Sequence, residues 1–453
     1  MLSNWCFLRI LVRLEIFNQK YTVMQKSYDL KLFASTCIAM LLVAFSLNAQ
    51  VDFKEFYGKV IDGNSNKILE AVSLNINETN ISTITNSEGE FTLKVPNKYL
   101  DSKIVVSMLG YNTRVIPLSN LSNTGNKIKL YVAVTQLSAV SISAYKDASS
   151  LIKKVFKKKN NNIQKESVYM TAFYRETIKR RSRNVSLTEA VVNILKQPNA
   201  SEQRDAIQLG KARKSTDYRR LDTVSVKLQG GPFSTMYLDV MKYPEYIFTD
   251  ETITSYDFSF DAPTTINNRN VFVVNFKPKN GSLNLKYQGK LYIDVESLAL
   301  VSANYALDVS DKKKSKNLLV RKKPRDIVVY PLEATYKVDY KAKGGKWYYS
   351  YSNLSLKFKV NKKRKIFNKV YTLSSEMAVT DWEINTTDRR IKYKDRLRPT
   401  VIITDAISGF SDPNFWGEYN LIEPDKSIET AINKIRKNIE KQKAKEKTVN
   451  SIP

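Results

Sequence analysis

The chain of 453 residues contains no histidine and only two cysteines, Cys6 and Cys37. Without imidazole there is no Ser-His-Asp or Cys-His catalysis, no histidine-ligated metal and no histidine pH switch. Two cysteines this far apart cannot supply a thiolate zinc cluster. No glycine-rich phosphate loop and no acidic calcium loop appears either. Acidic residues are the other shortage: 44 Asp plus Glu face 73 Lys plus Arg, a formal charge of +29. What is present is an ordinary globular composition, 42% hydrophobic and 26% charged. At roughly 150 residues per domain this predicts two or three domains.

Residues 32–47 form an uncharged apolar run preceded by Lys26 and Lys31 and followed by Leu47-Asn48-Ala49-Gln50. A basic flank, an apolar core and a small residue before the cut mark a secretory signal peptide, with cleavage expected after Ala49. The run is shorter than the ~20 residues that span a bilayer, so no transmembrane span is expected in the mature chain. Arg9, Arg13 and Glu15 interrupt the pattern upstream, which leaves two readings of the signal region 1–49: translation starting at Met24, or a disordered stretch over residues 1–23 ahead of the leader. Cys37 lies inside the apolar core, so both cysteines leave with the leader. Removing its five basic and two acidic residues leaves the mature chain at +26. Export turns this charge away from nucleic acid, towards lipopolysaccharide, acidic glycan or lipid, or an envelope protein partner. Runs such as Lys157-Lys158-Lys159 and Lys312-Lys313-Lys314 are also what solvated loop tips and strand edges carry.

Between residues 53 and 145 short alternating runs are punctuated by turns. Phe56 to Ile61 leads into Asp62-Gly63-Asn64-Ser65; Val72, Leu74 and Ile76 alternate; Asn86-Ser87-Glu88-Gly89 hands over to Phe91, Leu93 and Val95. Ile104 to Met108, Val115 to Leu118 and Ile128 to Val132 follow, with Val140 and Ile142 as a further run. Period-two alternation with regular punctuation predicts a small antiparallel sandwich. Gly58-Lys59-Val60-Ile61-Asp62, Leu69-Glu70-Ala71-Val72, Thr85 to Phe91 and Val106 to Tyr111 come in an order that resembles the carboxypeptidase-like regulatory domain. The resemblance implies a transthyretin-like, seven-stranded Greek-key-type sandwich of a kind abundant in Bacteroidota envelope proteins. The departure is Leu69-Glu70-Ala71, where the family usually has a proline and a Gly-Ala pair. The resemblance implies a scaffold or interaction module; carboxypeptidase chemistry needs a histidine-held metal this chain cannot supply.

Residues 146–163 read as a linker helix capped by Asp147, with Leu151, Ile152, Val155 and Phe156 on one face. From 164 to 420 the pattern is β-rich, and ten or more antiparallel strands require a large curved sheet or half-barrel. Strands are expected at Val168–Tyr174, Thr223–Leu228, Asp257–Phe260, Val271–Phe276, Gly289–Asp294, Leu298–Leu307, Val328–Asp339, Lys346–Val360 and Tyr371–Asp381. Gly230-Gly231-Pro232 breaks the chain before a short helical stretch, Thr235–Met241. The fold class is therefore mainly β with few helices. Gly289 to Asp294, a turn and Leu298 to Val301 resemble the paired strands of outer-membrane lipoprotein carriers, which implies an apolar concave face able to take an acyl chain. Ala172 to Glu176, Gly230 to Pro232 and Asn414 to Asn420 resemble uncharacterised Bacteroidota proteins that carry this N-terminal module.

Asn414 to Asn420 is the most distinctive local motif. Phe415, Trp416, Gly417 and Tyr419 are expected either to pin the C-terminal segment onto the sheet or to form an aromatic ligand platform. Asp425 should cap a basic amphipathic helix over 425–453, whose distal half (Lys434 to Lys447) reads as a frayed solvated tail in preference to a partner helix or membrane-surface contact. With His and Cys excluded, an enzyme would need carboxylate pairs, as in glycosidases, or a Ser/Lys or Tyr nucleophile. Asp250-Glu251, Asp294 with Glu296, and Glu376 with Asp381 qualify by type alone; adjacent residues such as Asp250 and Glu251 point to opposite faces of a strand, and a hairpin turn explains Asp294 and Glu296 equally well. No catalytic residue, metal or cofactor is assigned. The sequence points to an exported, non-enzymatic envelope binding or assembly module, with a lipid or lipoprotein carrier as the alternative.

Overall fold

A computed structural model describes residues 52–133, 147–181, 183–216, 227–280, 287–320, 325–362, 368–407, 416–426, 428 and 430. The leader, the run at Val140–Ile142, residues 223–226 of the strand expected at Thr223–Leu228, Phe415 and most of the basic C-terminal helix lie outside these residues; Lys227 and Leu228 are not in a strand.

Seven strands build the sandwich: β1 (Phe53–Asp62), β2 (Ser73–Ile76), β3 (Ser82–Ile84), β4 (Glu90–Pro96), β5 (Lys103–Ser107), β6 (Arg114–Pro117) and β7 (Asn126–Leu130). They form sheets of order β4-β1-β7 and β3-β2-β5-β6. The expected alternation holds: Leu74, Ile76, Leu93, Ile104 and Val106 are fully buried in the space between the sheets. One pairing departs from expectation, since β1 and β7 run parallel, from Gly58 beside Asn126 to Asp62 beside Leu130. Period-two patterning fixes which face is buried and is silent on strand direction.

The turn residues explain why the family-like motifs stand where they do. Asp62 Oδ1 accepts from Asn64 N (2.9 Å) and Ser65 N (2.7 Å), closing the first turn. The Tyr111 hydroxyl donates to Asp62 Oδ2 at 3.0 Å, fastening the Leu-Gly-Tyr corner to that turn. Asn86 Oδ1 accepts from Glu88 N and Glu90 N, and Gly89 takes φ +72°. Ala71, in the stretch that departs from the family pattern, has φ +57°, a conformation glycine adopts at lower cost.

The second region is one ten-stranded antiparallel sheet that is not closed into a barrel. Its strands are β8 (Val168–Arg180), β9 (Arg183–Lys196), β10 (Ala206–Thr216), β11 (Tyr256–Ile266), β12 (Arg269–Pro278), β13 (Tyr287–Asp294), β14 (Leu300–Leu307), β15 (Ile327–Lys343), β16 (Lys346–Lys362) and β17 (Lys369–Ile384). Their order is β10-β9-β8-β17-β16-β15-β14-β13-β12-β11. Two strands are unannounced by the sequence pattern. β9 is buried almost throughout, on both faces, so it lacks the alternation that marks its neighbours. β10 is short of large apolar residues and is extended at the edge by Leu397, whose N–H donates to Ile207 O at 2.7 Å.

The inner face of this sheet is filled by the chain itself. Helix α1 (Ala148–Asn162), capped by Asp147 accepting from Ser150 N at 2.7 Å, buries Leu151, Ile152 and Val155 in the large core. Its lysines at 153, 154, 157 and 158 are exposed. The segment 228–256 follows, with helix α2 at Pro232–Met236 rather than at Thr235–Met241. Gly230 and Gly231 have φ +111° and +49°, and Pro232 starts the helix, so the break itself sets its beginning. Phe248 packs its ring 5.0 to 5.5 Å from those of Phe276, Tyr256 and Phe156. A buried network holds the segment down: Lys196 Nζ lies 2.7 Å from Asp239, Lys242 Nζ 2.5 Å from Asp205, and Tyr340 OH donates to Asp239 at 2.8 Å. Helices α3 (Lys312–Leu319) and α4 (Ile403–Ala406) complete the described helices of eight and four residues.

Candidate functional site

The outer face of the sheet carries the sandwich, and the two meet along a seam that the C-terminal segment fills. Trp416 is 4% exposed and sets its ring edge-on to Phe173 at 5.5 Å, with the Arg213 guanidinium 5.1 Å from its centroid. Gly417 has φ +55°, and its carbonyl accepts from Lys94 Nζ. The Asn420 side-chain amide bonds the backbone of β4, its Oδ1 accepting from Lys94 N at 2.8 Å and its Nδ2 donating to Lys94 O at 3.1 Å. Thr83 Oγ1 donates to Leu421 O at 2.9 Å. Asp425 Oδ1 accepts from Ile428 N at 2.8 Å, the expected start of the C-terminal helix. Of the four motif residues, Trp416 and Gly417 therefore lie in the seam. Tyr419 is partly buried against the same cluster, with Lys211 Nζ 5.6 Å from its ring. Phe415 lies outside the described residues.

Beneath this strap sits a buried ion cluster. Glu189 receives Arg175 Nε at 2.8 Å and Arg213 Nε at 2.6 Å, and Arg175 also reaches Glu376 at 3.4 Å. Arg175 Nη2 donates onward to Ile422 O at 2.6 Å. Burial alone would push the Glu189 carboxyl up, but the two guanidiniums outweigh it and hold it below the ordinary range. Such a cluster with every member engaged is a structural joint.

The carboxylate pairs singled out by type are placed as follows. Asp294 and Glu296 meet on one guanidinium: Arg269 binds Asp294 at 2.7 and 2.8 Å and Glu296 at 3.1 Å. Glu376 belongs to the ion cluster, while Asp381 accepts from Trp382 N at 2.8 Å. Asp250 and Glu251 are exposed, in the turn before β11. Among the described residues no group of three or more Asp or Glu could hold a metal ion, and no helix is long and apolar enough to cross a membrane.

Among the described residues a cleft of about 640 Å³ opens between the sandwich and the sheet. One wall is the outward face of β2 and β5: Ser73, Asn75 and Asn77 alternate with the buried Leu74 and Ile76, and Ser107 stands beside Ser73. The other wall is the end of the β15–β16 hairpin with Lys341, Tyr348 and the neighbouring Trp382. The hairpin turns through Gly344 and Gly345, whose φ values of +57° and +73° are those of a type I′ turn. Contacts bridge the cleft at both ends. Gly110 N donates to Thr265 O at 2.8 Å at one, and at the other Asn80 donates to Trp382 O while accepting from Lys343 Nζ at 2.6 Å. Sequence reasoning assigned none of these residues. The usable signal was the complement of the apolar pattern, a polar row between Val72, Leu74 and Ile76 on a strand that had to face something.

Residues 56–142 match the family model of the CarboxypepD_reg-like domain. The resemblance drawn from the turn glycines and the Leu-Gly-Tyr corner thus holds for the sandwich. No curated protein matches the chain. Among solved structures, a DUF1329 family protein from Desulfovibrio piger ATCC 29098 overlaps 54% of this chain and 95% of its own, at 11% identity and a TM-score of 0.23. A lipovitellin structure described for its lipid–protein interactions overlaps 52% of this chain and 27% of its own, at 8% identity and a TM-score of 0.24. A protein of unknown function from Bacteroides fragilis NCTC 9343 overlaps 73% and 98%, at 10% identity and a TM-score of 0.14. With TM-scores this low, none of the three supplies a shared fold or function.

Proposed function

We propose that this chain is an exported, non-enzymatic binding module of the bacterial cell envelope, of the periplasm or the outer-membrane surface, and that it holds its ligand in the cleft between the sandwich and the ten-stranded sheet. The observation that carries the reading is the contrast between the two faces of the sheet. Its inner face is occupied by α1 and residues 228–256, whereas its outer face leaves a bridged opening of about 640 Å³ with a row of amide and hydroxyl side chains along its sandwich wall, within the size range of ligand sites. The apolar signal region and the excess of basic residues support export and an anionic envelope component as the partner class. The absence of histidine and the engagement of Asp294, Glu189 and Glu376 in ion pairs favour binding over catalysis.

The carrier alternative requires room for an acyl chain on the inner face. Phe248, Met236 and Leu151 already fill that face, which weighs against it.

Envelope extract passed over the immobilised full chain should leave a component that a cleft-filling variant, Val105→Trp, does not retain. Equal retention by both would remove the cleft as the binding site. Organic extraction of the purified protein should give far less than one phospholipid per chain; a stoichiometric lipid would restore the carrier reading.

A further inference from the structure

We infer that the cleft binds an anionic saccharide, with Trp382 stacking on a sugar ring and Lys341 meeting its carboxylate or phosphate. This rests on the cleft being the binding site and names the chemistry of what enters it.

Three features converge on that class. The sandwich wall is a row of short amide and hydroxyl side chains, Ser73, Asn75, Asn77 and Ser107, suited to a ligand that carries hydroxyls along its length. An acyl chain laid against the same row would strip water from it and return no hydrogen bond. Opposite stands the aromatic surface of Trp382, with the Lys343 ammonium 5.8 Å from its ring centroid. The partly exposed Trp382 is stacked on Tyr348 with centroids 3.9 Å apart and planes 28° apart, and its own carbonyl is fixed by Asn80. The flat C–H face of a pyranose fits such a ring.

The charge pattern selects an anion. Three cations line the cleft, and two are already engaged: Arg269 by Asp294 at 2.7 Å and Lys343 by Asn80 at 2.6 Å. The Lys341 ammonium makes no hydrogen bond or ion pair among the described residues. Asp339, the carboxylate nearest it along β15, is bound by Ser302 at 2.6 Å and Lys337 at 3.2 Å. Burial pushes the Lys341 ammonium down to about 8, against a smaller upward pull from Asp339. A half-buried ammonium with no acceptor is a position where a ligand anion recovers a charge-assisted hydrogen bond.

Calorimetric titration of the full chain decides the matter with three probes: hexagalacturonate, which carries carboxylates, de-acylated lipopolysaccharide core oligosaccharide, which carries phosphates, and neutral cellohexaose. At least one acidic probe should bind ten-fold or more tightly than cellohexaose, and which one identifies the source of the anion. Lys341→Met should abolish that preference, and Trp382→Leu should weaken every saccharide that binds. Acidic probes binding no better than cellohexaose on the unmodified chain would overturn the inference without reliance on any variant. So would an acidic preference that survives Lys341→Met in a protein melting at the parental temperature. If no saccharide binds while Val105→Trp still loses the envelope component, the cleft stands and its assigned chemistry falls. If Val105→Trp retains that component, the cleft itself is wrong.

Discussion

Two buried glutamates of the large sheet show how one carboxyl group acquires opposite properties. Glu189 points to the outer face and lies between two guanidiniums, which hold it ionised. Glu176, on β8, points the other way, because neighbouring residues of a strand face opposite sides. Arg175 therefore cannot serve it, and its partner is the Tyr174 hydroxyl at 2.9 Å. Burial lifts the Glu176 carboxyl from 4.5 to about 7, the Tyr174 hydrogen bond opposing only part of that rise. A folded-state value above the unfolded one means the native protein keeps a proton that the unfolded chain gives up. Its contribution is complete below about pH 4.5 and is lost as the pH rises to about 7. Glu176→Gln should remove that slope. Urea unfolding at pH 4 and pH 8 should show a variant close to the parent at the lower pH and more stable at the higher, by up to about 3 kcal/mol. A parent whose stability rises between pH 5 and 7 in step with the variant would refute this account of Glu176.

Among the elements, the strap from Trp416 to Asp425 is the one whose sequence was conspicuous and whose task depends on tertiary structure. Trp416 is sealed between Phe173 and Arg213, so it works as a plug and offers no open ring face for a ligand. Trp416→Ala should cost about 3 to 5 kcal/mol in chemical denaturation, as for other buried aromatic truncations. A loss below about 1 kcal/mol would leave the residue free for the ligand-platform role instead. Legibility along the chain follows the same logic. Strands with one solvated or polar face, such as β2 and β13, could be read from alternation alone. β9 could not, since burial on both faces erases the period. Nor could the infilling of the inner face, because Phe248 and Met241 look like any apolar residues until the sheet is closed over them. The cleft residues were half legible: Ser73 and Asn75 were readable as an outward row, while Lys341 and Trp382 come from distant strands and meet only through the sheet order.

At the scale of the whole molecule there are two separate apolar cores, one inside the sandwich and one on the inner face of the large sheet. What joins them is a thin third cluster in which Ile84 of β3 meets Phe173 and Tyr351 of the sheet, with Trp416, Leu421 and Ile422 as filling. The strap contributes polar links to both sides at once: Asn420 to Lys94 and Leu421 to Thr83 on the sandwich, Ile422 to Arg175 on the sheet. Cooperative unfolding of two cores requires that the energy of the seam exceed the difference between their own stabilities. The strap supplies three of the eight buried apolar side chains of that seam, Trp416, Leu421 and Ile422, and polar links to both sides. The full chain should therefore melt in one calorimetric transition, and a chain ending at residue 415 in two. Because the cleft takes one wall from each core, the shortened chain should also lose its saccharide affinity while both cores remain folded by circular dichroism. A single transition in the shortened chain, with affinity intact, would show that β3 and the bridges at Gly110 and Asn80 hold the two walls in register without the strap.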